Sequence, residues 1–115
     1  MHIIYIEDNP NDRRFVERVL ESVNYTITTG ETLDEVKDAI VEADLIMIDI
    51  VLGAVPEGIL YPERLSKMGV DAPCIAVTAR VTPNEVKAYL MNGFSHVLTK
   101  PFTAGQLVTV TRTFA

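Results

Sequence analysis

Five residues that can do chemistry close four short, largely apolar stretches of this sequence. Glu7 and Asp8 follow His2 to Ile6, Asp49 follows Leu45-Ile46-Met47-Ile48, Thr78 follows Cys74 to Val77, and Lys100 follows His96 to Thr99. Carboxylates crowded into one crevice resist ionising together. A hard divalent cation removes the conflict, and Mg2+ suits one or two carboxylates, waters and a phosphate. A metal held by Glu7, Asp8 and Asp49 beside the Lys100 ammonium makes a phosphoryl site: cation and ammonium neutralise the equatorial oxygens while a carboxylate oxygen attacks phosphorus in line. Asp49 is the expected nucleophile because its stretch is central, and a carboxylate can carry phosphate as an acyl phosphate. The Thr78 hydroxyl is placed to hydrogen-bond a phosphoryl oxygen.

This chemistry requires the four stretches to lie side by side and to end at one edge. Leu45 to Ile48 is too short for a typical buried helix and reads as a strand buried on both faces, as in a parallel sheet covered by helices. His2 to Ile6, Cys74 to Val77 and His96 to Thr99 read as further strands, with Tyr25 to Thr28 a shorter, more polar edge strand. Asn9 caps a helix with Pro10 in its first turn, running to about Ser22 with Phe15, Val19 and either Val16 or Leu20 as its apolar stripe. Thr32 and Glu35 have the capping-box spacing, with Leu33, Val36, Ile40 and Val41 facing inward. Pro62 cannot sit deep inside a helix, so the third begins near Tyr61, turns Leu65 and Met68 inward and ends at Gly69. Thr82, Pro83 and Glu85 open a fourth, with Val86, Tyr89 and Leu90 facing in and Gly93 closing it. The fifth, Thr103 to Thr113, is weak by propensity, but Leu107, Val110 and Phe114 keep a stripe.

Five strands alternating with five helices imply an α/β domain, a doubly wound parallel sheet with helices on both faces, because right-handed crossovers permit little else. In the flavodoxin-like order 2-1-3-4-5, strands one and three are neighbours at the switch point, where ligands bind at the carboxyl ends of strands. Glu7, Asp8 and Asp49 then share one crevice, with Thr78 and Lys100 on the adjoining strand ends.

Composition agrees with a single domain. The length of 115 residues falls in the usual range, roughly 100–150 residues. Sixteen acids against ten Lys and Arg, a formal charge of -6, argue against a nucleic-acid surface. Cys74 is the only cysteine, so no disulfide closes within the chain, which fits a reducing cytoplasm, and its apolar surroundings suggest a buried structural thiol. No apolar span approaches the roughly 20 residues of a membrane helix, and no basic leader precedes the first strand. A soluble cytoplasmic protein is expected.

Ile6-Glu7-Asp8-Asn9, Ile48-Asp49, Val77-Thr78-Ala79 and Leu98-Thr99-Lys100-Pro101-Phe102 resemble, in order and over essentially the whole length, the motifs of the receiver domain of two-component response regulators. The resemblance implies that Asp49 accepts phosphate from a histidine kinase or histidine phosphotransfer protein. It also implies that Glu7, Asp8, Asp49 and the backbone carbonyl of Val51 hold Mg2+, that Thr78 and Lys100 bind the phosphoryl group, and that the Lys100-Pro101 bond is cis. Phosphorylation then draws Thr78 and the loop from Ala79 to Pro83 inward and alters the face of helix four, strand five and helix five, where a downstream protein reads the state or a weak dimer forms. Residues 1–115 are expected to be the receiver alone, with no output domain.

Three positions depart from the family. Val97 replaces the usual aromatic three residues before the lysine, so the switch lacks the ring whose rotation accompanies Thr78, and His96 should point to the other face. Gly53 stands where proline is common, and with Gly58 and Pro62 it suggests a longer, more mobile loop. Val51 and Arg80, two residues past Asp49 and Thr78, flank the path of a hydrolysing water and predict a long-lived phosphorylated state. Val51 also weighs against an aspartyl phosphatase, which would want a second carboxylate there. A flavin carrier is disfavoured because Glu7 and Asp8 repel its phosphate. An interaction module that works without phosphorylation is the remaining alternative.

Overall fold

Strand and helix alternate from one end of the chain to the other in the computed structural model, which describes residues 1–51 and 57–115. Five parallel strands, β1 (His2–Ile6), β2 (Thr26–Gly30), β3 (Leu45–Asp49), β4 (Cys74–Thr78) and β5 (His96–Thr99), form one sheet in the order β2-β1-β3-β4-β5. The helices are α1 (Pro10–Ser22), α2 (Leu33–Val36), α3 (Tyr61–Lys67), α4 (Pro83–Met91) and α5 (Ala104–Thr113), with 3-10 turns at Ile40–Glu42 and Glu57–Leu60. This is the flavodoxin-like order expected from the alternation. Gly53, part of the loop expected to be longer, lies outside the described residues.

The two-residue period of the strands sorts their apolar side chains onto two faces. Ile4, Ile6, Ile46, Ile48 and Ala76 pack with Leu33, Val36, Tyr61, Leu65 and Tyr89 beneath α2, α3 and α4. Ile3, Tyr5, Leu45, Met47, Ile75 and Val77 pack with Val16, Leu20 and Leu107 beneath α1 and α5. Each such side chain contributes about 1.5–3 kcal/mol when fully buried, which explains why β3 and β4 are buried along their whole length. Cys74 lies in the first layer, and burial pushes its thiol up to about 11. Among the described residues no helix is long and apolar enough to cross a membrane.

Capping follows the sequence closely. Asn9 Oδ1 accepts from the amides of Asn11 and Asp12 at 2.8 and 3.3 Å, and Thr32 Oγ1 accepts from Glu35 N at 3.3 Å. Reciprocal capping boxes open α4 through Thr82 and Glu85 and α5 through Thr103 and Gln106. Gly69 and Gly93 follow α3 and α4 with φ of 80° and 99°, left-handed values that a side chain resists.

Helix faces differ from the expected stripes in four places. In α1 both Val16 and Leu20 are buried, so Phe15 is turned aside and is 40% exposed. It stacks obliquely on Phe102 instead, with centroids 6.0 Å apart. The second apolar run is helical only to Val36; a 3-10 turn then brings Ile40 onto the core and leaves Val41 in solvent. Met68 lies just past the end of α3, where the chain has already turned, and is exposed. In α4 the buried residue is Tyr89, whose ring meets Phe94 edge-on, while Leu90 is exposed. The edge strand β2 begins and ends one or two residues later than Tyr25 to Thr28, in register with β1 from His2 to Ile6.

Candidate functional site

Strand register brings the polar strand ends together. Ile6 pairs with Ile48, Asp49 with Val77 and Thr78 with Thr99. Glu7 therefore emerges beside Asp49, Thr78 one residue beyond Asp49, and Lys100 one residue beyond Thr78. The backbone confirms the alignment: Ile50 N donates to Val77 O at 3.1 Å and Lys100 N to Thr78 O at 2.9 Å. The Lys100-Pro101 bond is cis.

Lys100 is the hub of the site. Its Nζ contacts Glu7 Oε1 and lies 3.3 Å from Asp12 Oδ2 and 3.5 Å from Asp49 Oδ2. Burial disfavours its charge, but the hydrogen bond to Glu7 and the fields of Glu7, Asp49 and Asp12 prevail, holding the ammonium above its ordinary range. Glu7 is completely buried. Its Oε1 also accepts from the Tyr5 hydroxyl at 2.9 Å, and Oε2 accepts a longer bond, 3.4 Å, from Asn9 N. Desolvation and the neighbouring Asp49 carboxylate outweigh Lys100 and push Glu7 up to about 8.

Asp49 is buried at 5% exposure, and its Oδ1 accepts from Val51 N at 3.3 Å. Thr78 is buried, and its hydroxyl oxygen accepts from Arg80 N at 3.0 Å. Arg13 from α1 braces the first strand end by donating from Nη1 to the Glu7 carbonyl at 2.8 Å. Carboxylate oxygens of Glu7, Asp8 and Asp49 can be chosen that all lie within 4.8 Å of one another. The donors are all hard oxygens, and the reluctance of Glu7 to ionise beside Asp49 is the conflict a divalent cation relieves, so the set fits Mg2+.

A family model described as response regulator receiver domain matches residues 3–112. The chain belongs to that family. Relatives of this receiver domain include two-component system protein A of Emericella nidulans, 24% identical over 95% of this chain and 17% of that protein. Sensor histidine kinase RcsC of Escherichia coli K12 is 31% identical over 90% of this chain and 11% of that protein. The chain thus spans less than a fifth of the length of either relative. Among solved structures, the chemotaxis protein CheY4 of Vibrio cholerae superimposes with a TM-score of 0.87 at 18% identity, covering 99% of this chain and 98% of that one. That likeness is one of fold.

The receiver architecture assembles Glu7, Asp8, Asp49, Thr78 and Lys100 at one sheet edge. Val97 stands apart from this group: it is half-buried against the α2–α4 side of the sheet and lines an apolar groove with Val81, Val86 and Leu90. His96 points the other way, its ring edge-on to Phe114 of α5 with centroids 6.5 Å apart. Sequence reasoning missed two members of the site, Tyr5 and Asp12. Tyr5 lies two residues before Glu7 and so on the same face of β1, a spacing that could have revealed the contact. Asp12 carried no such signal, since its partner Lys100 is 88 residues away.

Proposed function

We propose that this receiver domain is a phosphoacceptor of a two-component or phosphorelay system, with Asp49 as the residue phosphorylated. The observation that carries the reading is the grouping of three carboxylates, Glu7, Asp12 and the buried Asp49, around the Lys100 ammonium, with the Thr78 hydroxyl on the next strand. The donor is the phosphohistidine of a histidine kinase or a phosphotransfer protein. A relative named sensor histidine kinase RcsC is consistent with such a system.

In the transfer, an Asp49 carboxylate oxygen attacks phosphorus in line, a new P–O bond forms and the P–N bond to the donor imidazole breaks. The imidazole keeps the electron pair and takes up a proton. Glu7, Asp8, Asp49 and the Val51 carbonyl would hold Mg2+, which supplies positive charge to the phosphoryl oxygens when bound. Lys100 then turns its ammonium to a phosphoryl oxygen, and the Thr78 hydroxyl donates to another. As Thr78 follows the phosphoryl group, the loop from Ala79 to Pro83 moves with it and changes the face formed by α4, β5 and α5. With Val97 at the usual aromatic position, the loop and α4 carry more of that readout. A cytoplasmic downstream protein, or a second copy in a weak dimer, reads the altered face.

The test is incubation with acetyl phosphate and Mg2+, followed by intact mass measurement. The parent chain gains one phosphoryl group, lost in hydroxylamine, and Asp49→Asn gains none. Labelling that persists in Asp49→Asn moves the nucleophile elsewhere. A parent that neither gains label nor shifts its amide resonances with beryllofluoride is an interaction module that works without phosphate.

A further inference from the structure

Tyr5 places a hydroxyl in the middle of an apolar core. Its side chain is fully buried among Val16, Leu20, Met47 and Leu107, where a phenylalanine ring would fill almost the same volume. The hydroxyl has one described partner, Glu7 Oε1, at 2.9 Å. The same carboxylate oxygen receives Lys100 Nζ.

These two donors differ in freedom. The phenol is fixed by a buried ring on a strand, whereas Lys100 carries its ammonium on a flexible four-carbon stem and is partly exposed at 24%. On the phosphoacceptor reading, Lys100 must turn toward a phosphoryl oxygen. Glu7 Oε1 is then left with whatever donor stays behind, and a buried carboxylate oxygen without one is costly. Oε2, whose described hydrogen bond is the long one from Asn9 N, remains the oxygen available to a cation.

We propose that Tyr5 is a positioning residue: its hydroxyl holds Glu7 in a fixed orientation for the metal and keeps Oε1 satisfied when Lys100 departs. This rests on the phosphoacceptor reading. The hydroxyl touches neither phosphate nor metal and acts through Glu7. It releases Lys100 by making the Glu7–Lys100 contact expendable.

The experiment compares the full chain with Tyr5→Phe, first by calorimetric Mg2+ titration and then, at saturating Mg2+, by beryllofluoride titration followed through amide resonances. Partners that orient metal ligands are typically worth about tenfold or more in metal affinity. Tyr5→Phe is expected to weaken Mg2+ binding by about that factor, and to weaken beryllofluoride binding even when Mg2+ is saturating. Incorporation of 4-aminophenylalanine at position 5 restores an N–H donor on the same ring and recovers both affinities, which separates the hydroxyl from core packing. In a Glu7→Gln background, Tyr5→Phe changes Mg2+ affinity by less than about twofold, because the residue through which it acts has lost its carboxylate. Equal affinities in the parent and Tyr5→Phe overturn the proposal, as does an undiminished Tyr5→Phe effect in the Glu7→Gln background. A parent that takes up no Mg2+ overturns the phosphoacceptor reading and the proposal with it; a parent that takes it up while Tyr5→Phe binds equally well overturns the proposal alone.

Discussion

A β-carbon added to Gly58 would stand 2.2 Å from the carbonyl oxygen of Asp49. The turn Glu57–Leu60 is thus pressed directly onto the end of β3, and Gly58 N fastens it by donating to Ile50 O at 3.0 Å. The residue proposed to carry phosphate is positioned from behind by one that has no side chain.

Gly58→Ala must push the turn off the strand, since the closest atom, the Asp49 carbonyl oxygen, is backbone and cannot rotate away. Overpacking of this kind costs about 1–3 kcal/mol. The expected result is a lower urea midpoint at unchanged m, together with slower labelling by acetyl phosphate as Asp49 shifts. A variant with parental stability and rate would show that the turn yields without cost.

Legibility in the sequence followed the periodicities. The apolar runs closing on Glu7, Asp49, Thr78 and Lys100 implied a doubly wound parallel sheet through the crossover rules, and the flavodoxin-like order with its register puts those ends together. Capping was equally readable at Asn9, Thr32 and Thr82, which act within three residues of themselves, whereas Thr103, read as the first residue of the last helix, caps it instead. Side-chain facing was less so: Phe15 and Leu90 satisfy the helical period, but neighbouring positions, Val16 and Tyr89, took the core. The Tyr5 hydroxyl was hidden by its setting, since a tyrosine among isoleucines reads as core. Long-range contacts such as Asp12 to Lys100 have no local signature at all.

The lifetime of the phosphorylated state depends on access of water to phosphorus. Val51 is half-buried against the core, and its amide is tied to Asp49, while the Arg80 amide is tied to Thr78. Both residues are therefore attached to the site through their backbones, and neither side chain offers a base to a water. A slow loss of label is expected, and Val51→Asn, which adds a polar group able to orient water, should hasten it several-fold. Phosphate release followed over time after removal of acetyl phosphate checks this. Identical decay in the two proteins would show that water arrives by another route.

Protons and Mg2+ compete for Glu7. Burial and Asp49 push its pKa up to about 8 in the folded, metal-free protein, whereas an unfolded chain loses that proton near the ordinary glutamate value of about 4.3. Between these values the folded state binds more protons than the unfolded one, so this group's contribution to stability is full at the acid end and is lost as pH rises toward about 8. The sense is opposite to that of a carboxylate stabilised by a salt bridge. Because a ligating carboxylate must give up its proton, Mg2+ affinity should rise through the same window and level off above it. Thermal melts in EDTA, taken for the parent and Glu7→Gln from about pH 5 to about pH 9, isolate the contribution of Glu7 as the difference between the two curves. The parent should lose stability relative to Glu7→Gln as pH increases, and Mg2+ should restore it to the parent far more than to the variant. A parent that instead gains stability relative to Glu7→Gln over this range would mean that Lys100 prevails and that Glu7 is already ionised without metal.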